Sequence, residues 1–165
     1  MNKAVFLDRD GTINIDKDYL YKIEDFEYLP GAVEGLRLLQ EQGYLLIVIT
    51  NQSGIARGFY SEEDYLRLDK WMKEDLAQKG VKITASYYCP HLLDVKVSKY
   101  SIECECRKPK LGLFYQAAKD WDIDIDNSIA IGDKPRDIAI SEVSKCKGIL
   151  FSGNWDALIN LFMGG

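Results

Sequence analysis

Two carboxylates, Asp8 and Asp10, stand two residues apart directly after the apolar run Ala4-Val5-Phe6-Leu7. A third, Asp133, follows a second apolar run at 128–131. Asp-Gly and Gly-Asp pairs are ordinary turn chemistry. Their joint placement at two strand ends says more, because neighbouring strands would bring all three acids into one crevice. Carboxylate and carbonyl oxygens, completed by waters and a phosphate, describe a Mg²⁺ site. A second constellation is Cys89-x-His91, twelve intervening residues, then Cys104-x-Cys106. Three thiolates and one imidazole make a closed tetrahedral Zn²⁺ site, structural because no ligand position stays open. Cys146 is left over and reads as a small hydrophobe within a helix pattern.

These assignments constrain each other. His91 is the only histidine in 165 residues. With that imidazole on zinc, no histidine remains as a general base, and acid–base chemistry falls to aspartates. The formal net charge is −5, from 21 Lys and Arg against 26 Asp and Glu. That balance disfavours a general nucleic-acid or anionic-membrane binder. Cations nevertheless gather near the strand exits: Arg57, Arg107, Lys108, Lys110, Lys134 and Arg136. Cations at the mouth of an acidic protein suit a small anionic substrate. The first apolar run is too short for a signal-peptide core, and the longest, 44–49, is far below the ~20 residues that span a bilayer. The chain therefore reads as cytoplasmic, where thiols stay reduced. A single domain over 1–165, monomeric, is the expectation from length.

The elements that must hold these residues alternate. Strand candidates lie at 4–7, 44–49, 85–89, 128–131 and 148–151. Helices are expected at 31–42, from Ser61 to Gly80, at about 111–121, from Pro135, and at 154–162. Pro30 suits a first helical turn, and Gly43 a helix stop. Ser61 with Asp64 reads as a capping box. Strand–helix alternation predicts an α/β fold, three-layer α/β/α, with a mainly parallel Rossmann-like sheet. In such sheets ligands bind beyond the carboxyl ends of the strands, where Asp8, Asp10, Thr50 and Asp133 all stand. Two aperiodic stretches, 13–29 and 90–109, remain as a flap and a zinc loop (89–106), with no insertion long enough for a large cap.

Asp8-Arg9-Asp10-Gly11-Thr12 resembles the first motif of haloacid dehalogenase superfamily phosphatases. Thr50-Asn51 resembles the second motif, Lys108 the third, and Gly132-Asp133 with Asp137 the fourth; together they span residues 8 to 137. Residues 51–58 (Asn-Gln-Ser-Gly-Ile-Ala-Arg-Gly), the Cys/His loop and Arg107-Lys108-Pro109 resemble the subgroup of histidinol phosphatases and heptose bisphosphate phosphatases. The twelve-residue ligand gap is more similar to the latter. The resemblance implies that Asp8 is a nucleophile forming an aspartyl-phosphate, and that Asp10 is the proton donor and then the base. It implies Mg²⁺ on Asp8, the Asp10 carbonyl and Asp133, with Thr50 and Lys108 stabilising the phosphoryl group. Arg107, Asp16, Lys17, Asp18, Tyr19, Asn51, Gln52, Ser53 and Lys134 are implied to bind substrate, and Arg57 adds charge. The implied reaction removes the C7 phosphate of a heptose bisphosphate, with histidinol phosphate as the alternative substrate. A nucleic-acid 3′-phosphatase shares the acidic motifs but not the charge balance. A binding module without turnover is at odds with the intact set of acids. Two positions depart from the subgroup: Asp18, where relatives often carry glycine, and Leu111, where proline is usual.

Overall fold

A computed structural model of the chain describes residues 1–163. Five parallel strands, β1 (Ala4–Leu7), β2 (Leu45–Asn51), β3 (Ile83–Cys89), β4 (Ile129–Gly132) and β5 (Lys147–Leu150), form one sheet in the order β3-β2-β1-β4-β5. Connections run outward from β1 through β2 to β3, then return to its other side for β4. The reversal lies between β1 and β4, and a crevice opens there at the strands' carboxyl ends.

Strand alternation sorts the core into two layers. Val5 and Leu7 point to one face with Leu46, Val48, Ile129 and Ile131. Against them pack Leu36 and Leu39 of α1 (Ala32–Glu41), Met72 and Leu76 of α2 (Glu62–Gln78), and Trp155 and Leu158 of α4 (Trp155–Met163). Phe6, Ile47, Ile49 and Ala130 point the other way, against Leu113, Phe114 and Ala117 of α3 (Gly112–Trp121). Both faces of the three central strands β1, β2 and β4 are covered, so these read as near-continuous apolar runs. The three-layer α/β/α expectation is met.

The helix signals act where they stand. The Ser61 hydroxyl accepts from Asp64 N–H at 3.1 Å, and the Asp64 carboxylate accepts from Ser61 N–H at 3.0 Å, closing the capping box. Three details differ from expectation. Pro30 lies before the helix, because Gly31, with φ of 81°, is its N-cap. The stretch from Pro135 is not an α-helix but a 3-10 stretch to Glu142, kinked at Ile138. Asp137 sets its start by accepting from Lys134 N–H at 3.0 Å. Cys146 sits outside any helix, just before β5, yet is buried against α3's layer as a small hydrophobe.

Two glycines hold loops against each other. Gly11 has φ of 89°, and a Cβ there would lie 2.3 Å from Asp133 Oδ2. The tight turn after Asp10 therefore lets the β4 carboxylate come alongside. At Gly112, a Cβ would meet the Glu105 carbonyl oxygen at 2.5 Å. The backbone of the Cys/His loop thus rests on the start of α3, where Gly112 N–H donates to that carbonyl at 2.9 Å. No described helix is long and apolar enough to cross a membrane.

Candidate active site

The ends of β1, β2 and β4, the flap and the residues after the zinc loop line a cavity of about 300 Å³. Asp8 leaves β1, and its N–H donates to Ile131 of β4 at 3.1 Å. Oxygens of Asp8, Asp133 and Asp137 lie within 4.8 Å of one another. Lys108 Nζ is inserted among them, 3.2 Å from Asp8 Oδ1 and 2.6 Å from Asp137 Oδ1, and it donates to the Ile49 carbonyl at 2.6 Å. Burial pushes the Asp8 carboxyl up to about 7; Lys108 opposes this, while Asp137, Asp10 and Asp133 reinforce it. Asp133 is raised as well, by burial and by Asp137. Its Oδ1 is buried with no partner among the described residues. Three crowded carboxylates, one with an orphaned oxygen, fit a hard divalent cation, whose charge offsets their repulsion.

Lys108 is aimed from its backbone. Asn51 Oδ1 accepts from Lys108 N–H at 2.9 Å, and Asn51 Nδ2 donates to the Lys108 carbonyl at 3.1 Å. Asn51 lines the cavity, but its amide is engaged with Lys108. Asp10 is held on both oxygens. Asn14 Nδ2 donates to Oδ1 at 2.9 Å, Gln52 Nε2 donates to Oδ2 at 3.2 Å, and Arg9 reaches both. Gln52 also donates to Thr50 Oγ1 at 2.9 Å and accepts from Tyr60. β2 therefore runs on through Thr50 and Asn51, beyond the expected 44–49, and carries them into the site.

The structure brings most sequence-expected residues to this cavity: Asp8, Asp10, Asp16, Asp18, Tyr19, Thr50, Asn51, Gln52, Ser53, Arg57, Arg107, Lys108, Asp133 and Lys134 all line it. Lys17 does not. Its ammonium turns away, donating to the Asp25 carbonyl at 2.8 Å and pairing with Glu27 at 3.2 Å. Asp18 and Tyr19 both have positive φ, 50° and 62°. Position 18 is where relatives often carry glycine, and aspartate is among the few other residues that tolerate that region. Asp18 N–H donates to Asp16 Oδ1 at 3.1 Å, closing an Asx-turn that offsets the missing glycine.

Gly54 and Tyr60 line the cavity but lay outside the expected site, and Arg136 was read only as nearby charge. Asp137 was read with the fourth motif but given no role in the site, although the spacing Asp133-x-x-x-Asp137 was the available signal. Arg107 is half-buried; burial, then Arg136 and Arg57, hold it below the usual arginine range. Its Nη1 is buried without a partner among the described residues. Guanidiniums that weaken one another, one with an orphaned donor, form a slot for an anion.

The loop that carries the Cys/His cluster lies beside the site. Ligand atoms of Cys89, His91, Cys104 and Cys106 lie within 4.8 Å of one another. Sulfur–sulfur distances are 2.9, 3.2 and 3.5 Å, and His91 Nδ1 is 3.3 Å from Cys106 Sγ. These exceed the ~2.05 Å of a disulfide. Burial opposes ionisation of Cys104, but Cys106 and the Arg107 backbone bring it down to about 6. Burial pushes Cys89 and Cys106 up. A shared thiolate among converging thiols fits a soft tetrahedral metal. Tyr88 and Tyr100 both donate to Glu62 at 2.6 Å, anchoring β3 and the loop to the start of α2.

Comparison with known proteins places this geometry. A family model described as polynucleotide kinase 3 phosphatase matches residues 3–146. The chain is 47% identical over 147 residues to the D-glycero-beta-D-manno-heptose-1,7-bisphosphate 7-phosphatase of Pasteurella multocida (strain Pm70), covering 89% of this chain and 79% of that protein. It is 50% identical over 140 residues to the D-glycero-alpha-D-manno-heptose-1,7-bisphosphate 7-phosphatase of Photorhabdus laumondii subsp. laumondii, covering 85% and 76%. Among solved structures, D,D-heptose 1,7-bisphosphate phosphatase from B. bronchiseptica, complexed with magnesium and phosphate, superposes with a TM-score of 0.76 at 32% identity. That match covers 88% of this chain and 78% of the other. The chain belongs to the haloacid dehalogenase-like phosphatases, phosphoric monoester hydrolases, in the family of the heptose-1,7-bisphosphate 7-phosphatases.

Proposed function

We propose that this chain removes the C7 phosphate of D-glycero-D-manno-heptose 1,7-bisphosphate, with Mg²⁺ held by Asp8, Asp133 and the Asp10 carbonyl. The observation that carries this reading is the cavity's polarity. Crowded carboxylates around Lys108 occupy its floor, and Arg57, Arg107, Lys134 and Arg136 occupy its rim. One phosphate fits the floor, and a second meets the rim. Histidinol phosphate would present an ammonium to that rim instead, an unfavourable pairing of like charges.

Phosphate-monoester hydrolysis is among the slowest uncatalysed reactions, requiring accelerations of up to ~10²¹. A general acid supplies only ~10² to 10⁴, so several effects must act together. An Asp8 oxygen attacks phosphorus, and the bond from phosphorus to the C7 oxygen breaks. That oxygen takes a proton from Asp10. Asp10 then takes a proton from water as the water oxygen attacks the aspartyl-phosphate. The bond to Asp8 breaks, and inorganic phosphate leaves. Lys108 Nζ and Thr50 Oγ1 stand where they offset charge on the transferring group. When bound, Mg²⁺ neutralises charge between the two anions, Asp8 and the phosphate, and polarises the phosphoryl oxygen.

The test is a turnover comparison of both heptose 1,7-bisphosphate anomers, histidinol phosphate and a 3′-phosphorylated oligonucleotide. Relatives bearing both anomer names are 47% and 50% identical, so both anomers belong in the panel. Preference for one heptose bisphosphate over histidinol phosphate is expected; the reverse preference would sink the reading.

Zn²⁺ on Cys89, His91, Cys104 and Cys106 would fix the chain on which Arg107 and Lys108 follow directly. Chelation, or Cys104→Ser, is therefore expected to lower thermal stability and raise KM, with Arg107 losing its place. Metal analysis and differential scanning calorimetry check this. Purified protein without zinc, and with Cys89, Cys104 and Cys106 freely labelled, would contradict it.

A further inference from the structure

Arg9 lies between the two catalytic aspartates in sequence but does not line the cavity. It is only 1% exposed, an unusual place for a guanidinium. Its fork grips one carboxylate: Nη2 is 3.1 Å from Asp10 Oδ1 and 3.0 Å from Oδ2, and Nε is 3.3 Å from Oδ1. Nη2 also donates to the Leu20 carbonyl at 3.3 Å, which ties the grip to the flap. The guanidinium lies over the Tyr65 ring, 5.7 Å from its centroid, so α2 backs it from behind. The Arg9 carbonyl in turn accepts from the N–H groups of Thr12, Ile13 and Asn14, fixing the turn that carries both residues.

We propose that Arg9 is a positioning residue for the proton-transfer step, its buried fork setting the plane of the Asp10 carboxyl toward the leaving oxygen; this rests on the reading of Asp10 as proton donor. Asn14 and Gln52 each touch one oxygen of Asp10. Among the described residues only Arg9 spans both, and two parallel contacts fix a plane where single contacts leave a rotor. Lysine cannot replace it, because an ammonium is a point charge without the fork. The flap contact adds a second consequence. Ordering of residues 16–20 over the substrate and alignment of Asp10 share one side chain.

The distinguishing readout is dependence on the leaving group. An alkyl oxygen, as at C7 of the sugar, requires a proton as its bond to phosphorus breaks. A nitrophenolate leaves without one. Misplacing Asp10 therefore slows phosphoryl transfer from alkyl esters selectively, whereas general loosening of the site slows both classes alike. kcat/KM is the appropriate quantity, because it reports steps up to formation of the aspartyl-phosphate and excludes its later hydrolysis.

The experiment compares wild type, Arg9→Lys, Arg9→Met and Asp10→Asn on heptose 1,7-bisphosphate and on 4-nitrophenyl phosphate, with saturating Mg²⁺. Arg9→Lys keeps the charge and carries the test if Arg9→Met does not accumulate as folded protein. Both Arg9 variants are expected to lose about 10²-fold in kcat/KM on the sugar phosphate, and no more than a few-fold on the aryl phosphate. Asp10→Asn should show the same selectivity, more strongly. Equal losses on both substrates, or none, with Asp10→Asn still selective, would overturn the role of Arg9 alone. If Asp10→Asn is itself unselective, the proton-donor reading fails and the proposal falls with it.

Discussion

Asp8→Asn is expected to lose at least ~10⁴-fold in turnover while keeping the fold. The size follows from the chemistry: an amide oxygen is a poor nucleophile, and without the covalent step only binding and charge stabilisation remain. The fold should survive because asparagine has nearly the same shape and Lys108 keeps Asp137 at 2.6 Å and the Ile49 carbonyl. Stability in metal-free buffer should even rise. The buried Asp8 carboxyl is pushed up to about 7, so its charged form is disfavoured in the folded state. Its contribution to stability is lost as the pH rises from the ordinary carboxylate range to about 7. Asparagine removes that loss, and the advantage disappears in acid. Steady-state assays and thermal melts across pH, in chelator, check both halves. A variant with turnover within a few-fold of wild type would refute the nucleophile assignment.

Lys108→Met gives the second large effect. Lys108 is 2% exposed, and its ammonium contacts two carboxylates and a carbonyl. Removing one charge-stabilising group from a phosphoryl or acyl site costs about 10²- to 10³-fold in rate. Breaking a buried ion pair costs roughly 3–5 kcal/mol when the partner stays charged. Here Asp8 already holds its proton well above the ordinary range, which reduces that cost. The cation should matter more to the variant than to wild type, because three carboxylates would then face one another without a counter-charge. Slow turnover combined with a larger stabilisation by Mg²⁺ than wild type shows is therefore expected. Melts over a Mg²⁺ series and assays at saturating metal read both. Nearly unchanged turnover, or a variant whose stability ignores Mg²⁺, would contradict the arrangement.

Much of the site was legible in the chain because the sheet does the positioning. Residues just past a parallel strand must face the crevice, so Asp8, Asp10, Thr50 and Asp133 could be placed from short apolar runs alone. The Cys/His cluster was legible for a different reason, since thiol and imidazole pairs about an aperiodic loop have few other uses. What stayed hidden depended on side-chain direction. Lys17 and Asp18 are neighbours of similar polarity, and only the local backbone decides that one lines the cavity and the other pairs with Glu27. Asp137 was read as part of the fourth motif, but its partner was not legible. The 3-10 stretch after β4 brings it back onto Lys108. Arg9 was named only within its motif and given no role, because nothing in the spacing shows that a cation between two acids is buried.

The departures at Asp18 and Leu111 have local explanations. Asp18 adopts a left-handed conformation, held by the Asx-turn in which Asp16 Oδ1 accepts from its N–H. Leu111 precedes a helix whose start is set by Gly112 against the zinc-loop backbone, so a proline before that glycine is dispensable here.

Covalent phosphoryl transfer to Asp8 can be caught by rapid quenching. Enzyme mixed with heptose 1,7-bisphosphate and Mg²⁺ would be stopped in acid during the first turnover and analysed by peptide mass spectrometry. A phosphoryl adduct on the peptide carrying Asp8, forming before free phosphate and absent from Asp8→Asn, is the predicted result. Phosphate released at full rate with no adduct at any time would contradict the account.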